Sequence, residues 1–342
     1  MNDNSRGPFT TLAGQILDEL LERHPESATT LGDHRFDDRL SDRSDAALDD
    51  EARWVGTRLA DLRGLPQADL DTPSRVDAHI LTNALELRRF ELEELREHEW
   101  NPLVANPGTA VYTLLARDFA PLGERLRSVA GRLAHVPEAL DTARRSLDGM
   151  PHVHVETAIG QFTGTRTLLA TELERALGAE PALRDEVEPV RTRAIEAIEA
   201  HVEWLRSVLE ASDRDPRLGE ETYARKLALT LDAASDADAV LARAESDLEH
   251  VEELIAETAA RLDGGAGEGR VRRVLDRLAT DGAVDDDTIV GLCEQALTDT
   301  TEFVRSNDLV TVHDDPVEII VMPEIHRGVA VAYCDPPGPL ET

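Results

Sequence analysis

The chain has 342 residues, which is long enough to bury a large core in one helical domain or in two smaller ones. Apolar residues make up 41% and aromatic residues only 4%, so the core must consist mainly of Ala, Leu, Val and Ile. The 69 acidic residues outnumber the 36 basic ones and give a formal net charge of -33. A surface this negative repels nucleic acid and anionic membranes, and we expect neither as a partner.

The first residues lack the basic and then apolar pattern of a secretory signal peptide. No apolar run approaches the roughly 20 residues that a membrane-spanning helix needs. Cys293 and Cys334 do not make a disulfide framework and are interpreted as reduced thiols. These features predict a soluble, cytoplasmic protein. The excess of acidic residues would also suit adaptation to high salt, a question that composition does not decide.

Apolar residues recur at helical spacing through most of the chain, beginning with Leu12, Ile16 and Leu20. A helix is predicted from an N-cap at Thr72, with Pro73 at its first position. The apolar face predicted for this helix consists of Val76, Ile80, Ala84 and Leu87. The sequence therefore predicts a large assembly of amphipathic helices.

Two longer helices follow, and the last helix is predicted from about Asp287 to Ser306. The apolar stripe of the first long helix consists of Val187, Val190, Ala194, Ile198, Val202, Leu205 and Leu209. The second long helix is predicted to begin at Ser235, with Asp238 completing a variant of the capping box. Its stripe includes Leu241, Leu248, Val251, Ile255 and Leu262.

The pattern changes after Ser306, where short β-branched runs are separated by Pro and Gly. The runs are "DLVTVHDD", "VEIIVMP" and "GVAVAYC", and their composition is typical of strands. The sequence thus predicts a mainly α-helical fold with a small β-sheet near the C-terminus. We predict a helical domain over residues 1–306 and the start of a β-region over residues 307–342.

Metal-ligating patterns are incomplete. The only His-Glu pair, His98-Glu99, has Pro102 where an H-E-x-x-H motif needs its second histidine, and proline ends the helix that the motif requires. His152 and His154 could chelate a metal ion if the chain were extended there, but no third ligand is near in sequence. The alternative for this pair is a position at a helix start or on the surface.

The C-terminal residues resemble a known family. The run from Met322 to Glu341, "MPEIHRGVAVAYCDPPGPLE", is similar to a distinctive segment of the bacterial domain of unknown function 885 (DUF885) family. "ATTLGDHRFDDRLSD" near the start and "LGEETYARKLALTL" in the middle resemble other parts of the same family. The resemblance implies a mostly helical protein related to gluzincin-type, carboxypeptidase-like zinc peptidases.

The resemblance also implies that the zinc ligands lie downstream of the Pro-Gly corner, in an H-E-x-x-x-G-H-like helix. This sequence ends at Thr342, before such a helix, so the expectation is a truncated chain with no cofactor of its own. Zinc is expected in the complete family protein, and a complementary C-terminal fragment carrying the zinc helix is the expected partner. No catalytic residue is carried over.

By analogy with gluzincins, the run "HRGVAVAY" would lie beside a peptide-like substrate. Arg327 could then hold a carboxylate, Gly328 could allow close backbone approach, and Tyr333 could donate a hydrogen bond. The alternatives are a surface charge for Arg327 and a turn for Gly328. The functional hypothesis is the N-terminal, helical substrate-groove portion of a zinc-dependent hydrolase, inactive alone. The alternative is a non-enzymatic helical binding or scaffold protein derived from that family.

Overall fold

The computed structural model describes residues 7–66, 70–233, 236–263, 269–282, 284–313, 316–322 and 332–341. The chain forms two compact units. Unit 1 consists of Met1–Ala234 together with Pro323–Thr342, and unit 2 consists of Ser235–Met322. The predicted boundary between residues 306 and 307 thus falls inside unit 2, and the C-terminal residues belong with the first part of the chain.

Twelve α-helices lie in the described ranges, which confirms the prediction of a mainly α-helical fold. In unit 1 they are α1 (Pro8–Arg23), α2 (Pro25–Leu31), α3 (Asp45–Gly64), α4 (Thr72–Phe90), α5 (Gly108–Ala116), α6 (Leu122–Ser146), α7 (His152–Ala179), α8 (Arg184–Val208) and α9 (Glu220–Leu231). In unit 2 they are α10 (Ala237–Leu262), α11 (Arg270–Asp281) and α12 (Ile289–Ser306). Short 3₁₀ helices occur at His34–Phe36, Glu97–Glu99, Pro102–Ala105, Pro181–Leu183 and Leu209–Ala211, and a π-helical turn spans Glu91–Leu95.

Acidic side chains set the starts of two of the predicted helices. Asp71 accepts a hydrogen bond from the Ser74 backbone N–H at 2.9 Å, so the N-cap of α4 is Asp71 and not Thr72. At α10 the cap is Asp236, which accepts from the Asp238 backbone N–H at 3.0 Å. Ser235, the predicted cap, lies outside the described residues.

Helices α5 to α8 enclose the larger apolar core of unit 1. The predicted stripe of α8 is confirmed, because Val187, Ala194, Ile198 and Leu205 are fully buried in this core. Facing side chains from α6 and α7, such as Leu133, Leu140, Phe162 and Leu169, complete it. This continuous core holds α6, which forms one wall of the site described below.

A second apolar cluster joins α1, α3 and α4. Here the predicted face of α4 is wrong, because Val76 and Ile80 are more than half exposed. Ala78 and Leu85 are the residues of α4 that pack on Trp54, Val55 and Leu59 of α3. Of the predicted face only the end is covered, because Leu87 packs together with Leu229 of α9 around Phe90.

Unit 2 contains α10, α11 and α12. Helix α10 packs on α11, where Ala259 and Val274 are the buried apolar residues of the described part of this unit. The stripe predicted for α10 exists as one helix face, but that face is exposed. Its exposed members are Leu241, Leu248, Val251, Ile255 and Leu262.

The predicted small β-sheet is not confirmed, because none of the described residues between 307 and 341 forms a strand. Val310 and Val321 remain 68% and 66% exposed, so these β-branched runs have the composition of strands without a neighbour to pair with. Most of "GVAVAYC" lies outside the described residues. The tail is described again from Ala332, where it contacts the start of unit 1.

Candidate functional site

A cavity of about 580 Å³ lies within unit 1. Its walls are the start of α2, the loop of residues 40–44, the segment of residues 98–110 and the C-terminal half of α6. This volume is in the range of cavities that hold small organic ligands or short peptides. The cavity is therefore the candidate functional site.

The position of the 40–44 loop depends on α6. At Gly131 the helix approaches the loop so closely that an added Cβ would be 2.7 Å from the Asp38 carbonyl oxygen. The next residue, Arg132, is fully buried and donates to the Arg39 carbonyl at 3.0 Å. Arg132 also donates to the Ala110 carbonyl and to the Thr29 hydroxyl, so one side chain joins α2, α5, α6 and the loop.

Arg43, in this loop, lines the cavity. Its side chain is exposed to solvent, and partial desolvation by the atoms around it lowers the pKa of its guanidinium. Glu26 and Glu51 favour its charge, and Arg88 opposes it. Because an arginine pKa is far above neutrality, Arg43 stays a cation.

Two carboxylates near Arg43 are occupied by other donors. Glu26 accepts hydrogen bonds from the backbone N–H of Ser41 at 2.9 Å and from the Ser41 hydroxyl. Buried Glu51 accepts from Arg88 at 2.7 and 2.8 Å, and its Oε1 lies 2.8 Å from Nε2 of His24. Burial opposes the ionisation of Glu51, but the hydrogen bonds from Arg88 and His24 outweigh it and lower the pKa to about 2.

Two asparagines in Asn-Pro pairs belong to the wall formed by residues 98–110. The Asn101 side-chain oxygen accepts from the Leu103 backbone N–H at 3.2 Å, and that of Asn106 accepts from the Gly108 backbone N–H at 2.9 Å. These bonds fix which end of each amide is the oxygen. Neither NH₂ group has an acceptor within the described residues, so both can donate to a ligand.

Other lining residues complete the chemistry of the cavity. Leu40, Val104 and Leu147 provide apolar surface, and the carboxylate of Glu138 lines the same space. His98, set aside as a zinc-peptidase histidine in the sequence, also lines it, and burial lowers the pKa of its imidazole. An unpaired cation, amide donors and apolar patches together suit an amphipathic ligand with an anionic group.

The described end of the chain packs against the segment that follows α2. The Leu340 backbone N–H donates to the Leu31 carbonyl at 2.8 Å. Arg117 contacts Asp335 at 2.5 Å and donates to the Thr30 carbonyl at 2.9 Å. We call this arrangement the tail contact. The motif "PPGPLE" thus packs on the motif "ATTLGDHRFDDRLSD", the two segments on which part of the family resemblance rests.

Polar side chains converge on Glu341 in the tail contact. Its carboxylate lies 3.5 Å from Arg117 and 3.9 Å from Nε2 of His34. The other ring nitrogen of His34 lies 3.0 Å from buried Asp37, and its ring stacks on Phe119 at 3.7 Å between centroids. These contacts hold the end of the described chain in place.

The predicted substrate-binding residues are only partly described. Arg327 and Gly328 lie outside the described residues. Tyr333 belongs to unit 1, where its hydroxyl group hydrogen-bonds Tyr112 of α5. Burial and this hydrogen bond raise the pKa of Tyr112. The role predicted for Tyr333 in substrate binding stays a prediction.

The two histidines considered as metal ligands lie in the first turn of α7, not in an extended segment. His152 is exposed, with Nδ1 3.2 Å from the Leu209 carbonyl. His154 stacks on Trp100 at 5.7 Å between centroids, and burial lowers its pKa. Because residues two apart point to different sides of a helix, the structure does not bring this pair together.

Sequence reasoning missed Arg43, Asn101 and Asn106, which are brought together from segments about 60 residues apart. The Asn-Pro pairs at residues 101–102 and 106–107 were the available signal, since they mark short capped turns. Nothing in the spacing of residues around Arg43 distinguishes it from the other 34 arginines.

Comparison with known proteins shows which family the chain belongs to. Residues 25–342 match the family described as "Bacterial protein of unknown function (DUF885)". The chain belongs to the DUF885 family. No curated protein matches it. Both segments of the tail contact and all walls of the cavity except His24 fall within the DUF885 match.

A solved structure shares the fold. It is that of a protein described as a candidate lipoprotein of unknown function from Shewanella oneidensis, with a TM-score of 0.71 and 24% sequence identity. The similarity covers 90% of this chain and 59% of that protein, so the DUF885 chain spans less than two thirds of the length of that protein. Among the described helices of this chain, none is both long and apolar enough to cross a membrane.

Proposed function

We propose that unit 1 is the substrate-binding portion of a hydrolase that acts on peptide or amide bonds, of the gluzincin-type, carboxypeptidase-like kind that the tail motif implies. The observation that carries the proposal is the cavity, where unpaired donors lie beside apolar surface. A short peptide offers a carboxylate, amide groups and apolar side chains to such a wall. Tyr333, Arg327 and Gly328 remain proposed substrate-binding residues on the resemblance of the tail motif, with Arg327 and Gly328 outside the described residues.

The described residues do not fit a zinc ion. Within the described ranges, no three His, Cys, Asp or Glu side chains lie together in a way that could hold a metal ion. The proposal therefore assigns the zinc ligands to a complementary segment that carries the H-E-x-x-x-G-H-like helix. That segment would supply the ion that activates water, and this chain would bind and orient the substrate.

The exposed apolar face of α10 supports the existence of a complementary segment. Leu248, Val251 and Ile255 lie on one helix face and are about half exposed. An apolar stripe of this length is unusual on an isolated soluble protein and is typical of a surface that packs against another chain or segment.

The proposal is tested by binding and turnover measurements on the purified chain. We expect short peptides to bind, as followed by calorimetry, and no hydrolysis at enzyme-like rates in the presence of Zn²⁺. Adding a separate fragment that carries the H-E-x-x-x-G-H-like helix should then give hydrolysis. Turnover by this chain alone would refute the proposal that the zinc ligands lie in a separate segment. If no peptide binds, the proposal that unit 1 binds the substrate is refuted.

A non-enzymatic binding or scaffold protein is the second candidate. The continuous core of α5 to α8 favours it, because such a core can fold without a complementary segment. This candidate expects a single cooperative unfolding transition for unit 1 and a monodisperse chain. It also expects that adding a fragment with the zinc helix changes neither stability nor activity.

A further inference from the structure

Among the residues that the structure describes, Arg43 has no carboxylate partner, although the chain is strongly acidic. Within the described residues it makes no ion pair or hydrogen bond, although the net charge of the chain is -33. The acids that act on it electrostatically, Glu26 and Glu51, accept bonds from Ser41, His24 and Arg88 instead. Its five N–H groups thus remain available at the wall of the cavity.

The network around Glu51 keeps Arg43 unpaired. Both oxygens of Glu51 are occupied by Arg88 on α4, which also pairs with Glu91 at 3.1 Å. For Arg43 to take over Glu51, the Arg88–Glu51 pair would have to break, which would leave Arg88 without its main partner. The guanidinium of Arg43 is therefore available to bind an anion that enters the cavity.

The lining favours a carboxylate over a more highly charged anion. Glu26, Asp42 and Glu138 line the same cavity and would repel a phosphate dianion. A carboxylate carries one charge and matches the planar fork of a single guanidinium. The NH₂ groups of Asn101 and Asn106 add donors for neighbouring carbonyl oxygens.

We propose that Arg43 binds the free C-terminal carboxylate of a short peptide, and that Leu40, Val104 and Leu147 receive its apolar terminal side chain. This inference rests on the proposed peptide-binding function and specifies its substrate class. Peptide N–H groups can donate to Glu138 on the α6 wall, whose side chain makes no hydrogen bond or ion pair within the described residues.

The test compares N-acetyl-alanyl-leucine with its C-terminal amide by calorimetry on the full chain. A charge-assisted hydrogen bond contributes about 1.5–3 kcal/mol, so the acid should bind at least about tenfold more tightly than the amide. Arg43→Gln should remove this difference, and Arg43→Lys should restore part of it because lysine supplies the charge without the fork. Arg127→Gln, an exposed arginine of α6 outside the cavity lining, is the matched control and should leave both affinities unchanged.

The outcomes separate this inference from the proposed function. If acid and amide bind equally and Arg43→Gln changes neither, the role of Arg43 is refuted while peptide binding stands. If neither ligand binds to the wild-type chain, both are refuted. Thermal unfolding of Arg43→Gln should match that of the wild type, because the side chain is exposed and makes no hydrogen bond or ion pair within the described residues. If the variant is less stable and loses affinity for the acid and the amide equally, a specific role of Arg43 in carboxylate binding is also refuted.

Discussion

Gly338 lies directly against the backbone of Leu31, where α2 ends. A Cβ added at residue 338 would be 2.5 Å from the carbonyl carbon of Leu31 and 2.6 Å from the backbone nitrogen of Gly32. Backbone atoms cannot move aside as a flexible side chain can. The glycine of the motif "PPGPLE" is therefore required by the close approach of two backbones, which gives the motif a structural explanation independent of catalysis.

Gly338→Ala should open the tail contact. We expect a loss of roughly 1–3 kcal/mol from the clash and faster hydrogen exchange at the Leu340 amide, which now donates to Leu31. Mass spectrometry of exchanged peptides measures this directly. Gly14→Ala in α1 is the control, since an added Cβ there meets nothing within 4 Å. Equal protection of Leu340 in both variants would contradict the contact.

Arg132→Met should destabilise unit 1 by about 3–5 kcal/mol, because it leaves buried carbonyl groups without a donor. The affected acceptors are the carbonyls of Arg39 and Ala110 and the hydroxyl of Thr29. Chemical denaturation followed by circular dichroism gives the free energy of unfolding. Arg127→Met, five residues earlier on an exposed part of the same helix, should change it by about 0.5 kcal/mol or less. Similar losses in the two variants would show that the buried network is unimportant.

Glu51→Gln should also destabilise the protein, by about 2–4 kcal/mol, since an amide cannot satisfy both Arg88 and His24. The pKa of Glu51 is lowered to about 2. Its contribution to stability is therefore complete above pH 4.5 and is lost as the pH falls towards 2. Unfolding curves at pH 7 and pH 3 should differ less for Glu51→Gln than for the exposed control Glu93→Gln. If the change in unfolding free energy between pH 7 and pH 3 is the same for both variants, the contribution of the Glu51–Arg88 pair is contradicted.

His201 should make unit 1 sensitive to acid. It is fully buried on α8, its ring lies 4.7 Å from that of Phe162, and burial with a contribution from Arg144 lowers its pKa to about 4. The neutral form is therefore the native one, and stability is complete above pH 6.5 and falls as the pH drops towards 4. Lowering the pKa from 6.5 to about 4 corresponds to up to about 3 kcal/mol.

The variant His201→Leu should remove this pH dependence, because leucine does not titrate. Free energies of unfolding measured from pH 7 to pH 4 for both proteins give the contribution of His201 as their difference. Other titrating groups, including His154, are present in both proteins and cancel. Parallel curves over this range would show that His201 is protonated in the folded protein without cost.

The buried face of a helix could be predicted from the sequence where the helix has a single apolar stripe that packs into one core. In α8 the stripe from Val187 to Leu205 has a single possible buried side, and the prediction was right. In α4 two apolar faces compete: α1 and α3 bury Ala78 and Leu85, while α9 covers only Leu87 of the predicted face. The strands predicted after Ser306 have suitable β-branched residues, but strand formation also needs a hydrogen-bonding neighbour, which local sequence does not reveal.

The candidate site could not be predicted for a similar reason. Arg43, Asn101 and the α6 wall come together only after Arg132 and Gly131 have joined α6 to the 40–44 loop. Arg43 differs from the other arginines because the acidic side chains near it accept hydrogen bonds from other residues. That property depends on the three-dimensional hydrogen-bond network and is not visible in the sequence. The tail contact, by contrast, was indicated by its two motifs, although the sequence did not show that they touch.

Unit 1 is built from two stretches of chain, Met1–Ala234 and Pro323–Thr342, with unit 2 inserted between them. During synthesis the first stretch leaves the ribosome well before the residues that bind at Leu31 and Arg117. At about 5–20 residues per second, the delay is several seconds or more. The helical core can therefore form while the site for the tail is still unfilled, and a nascent chain should expose the Leu31–Arg117 surface to other proteins during that interval.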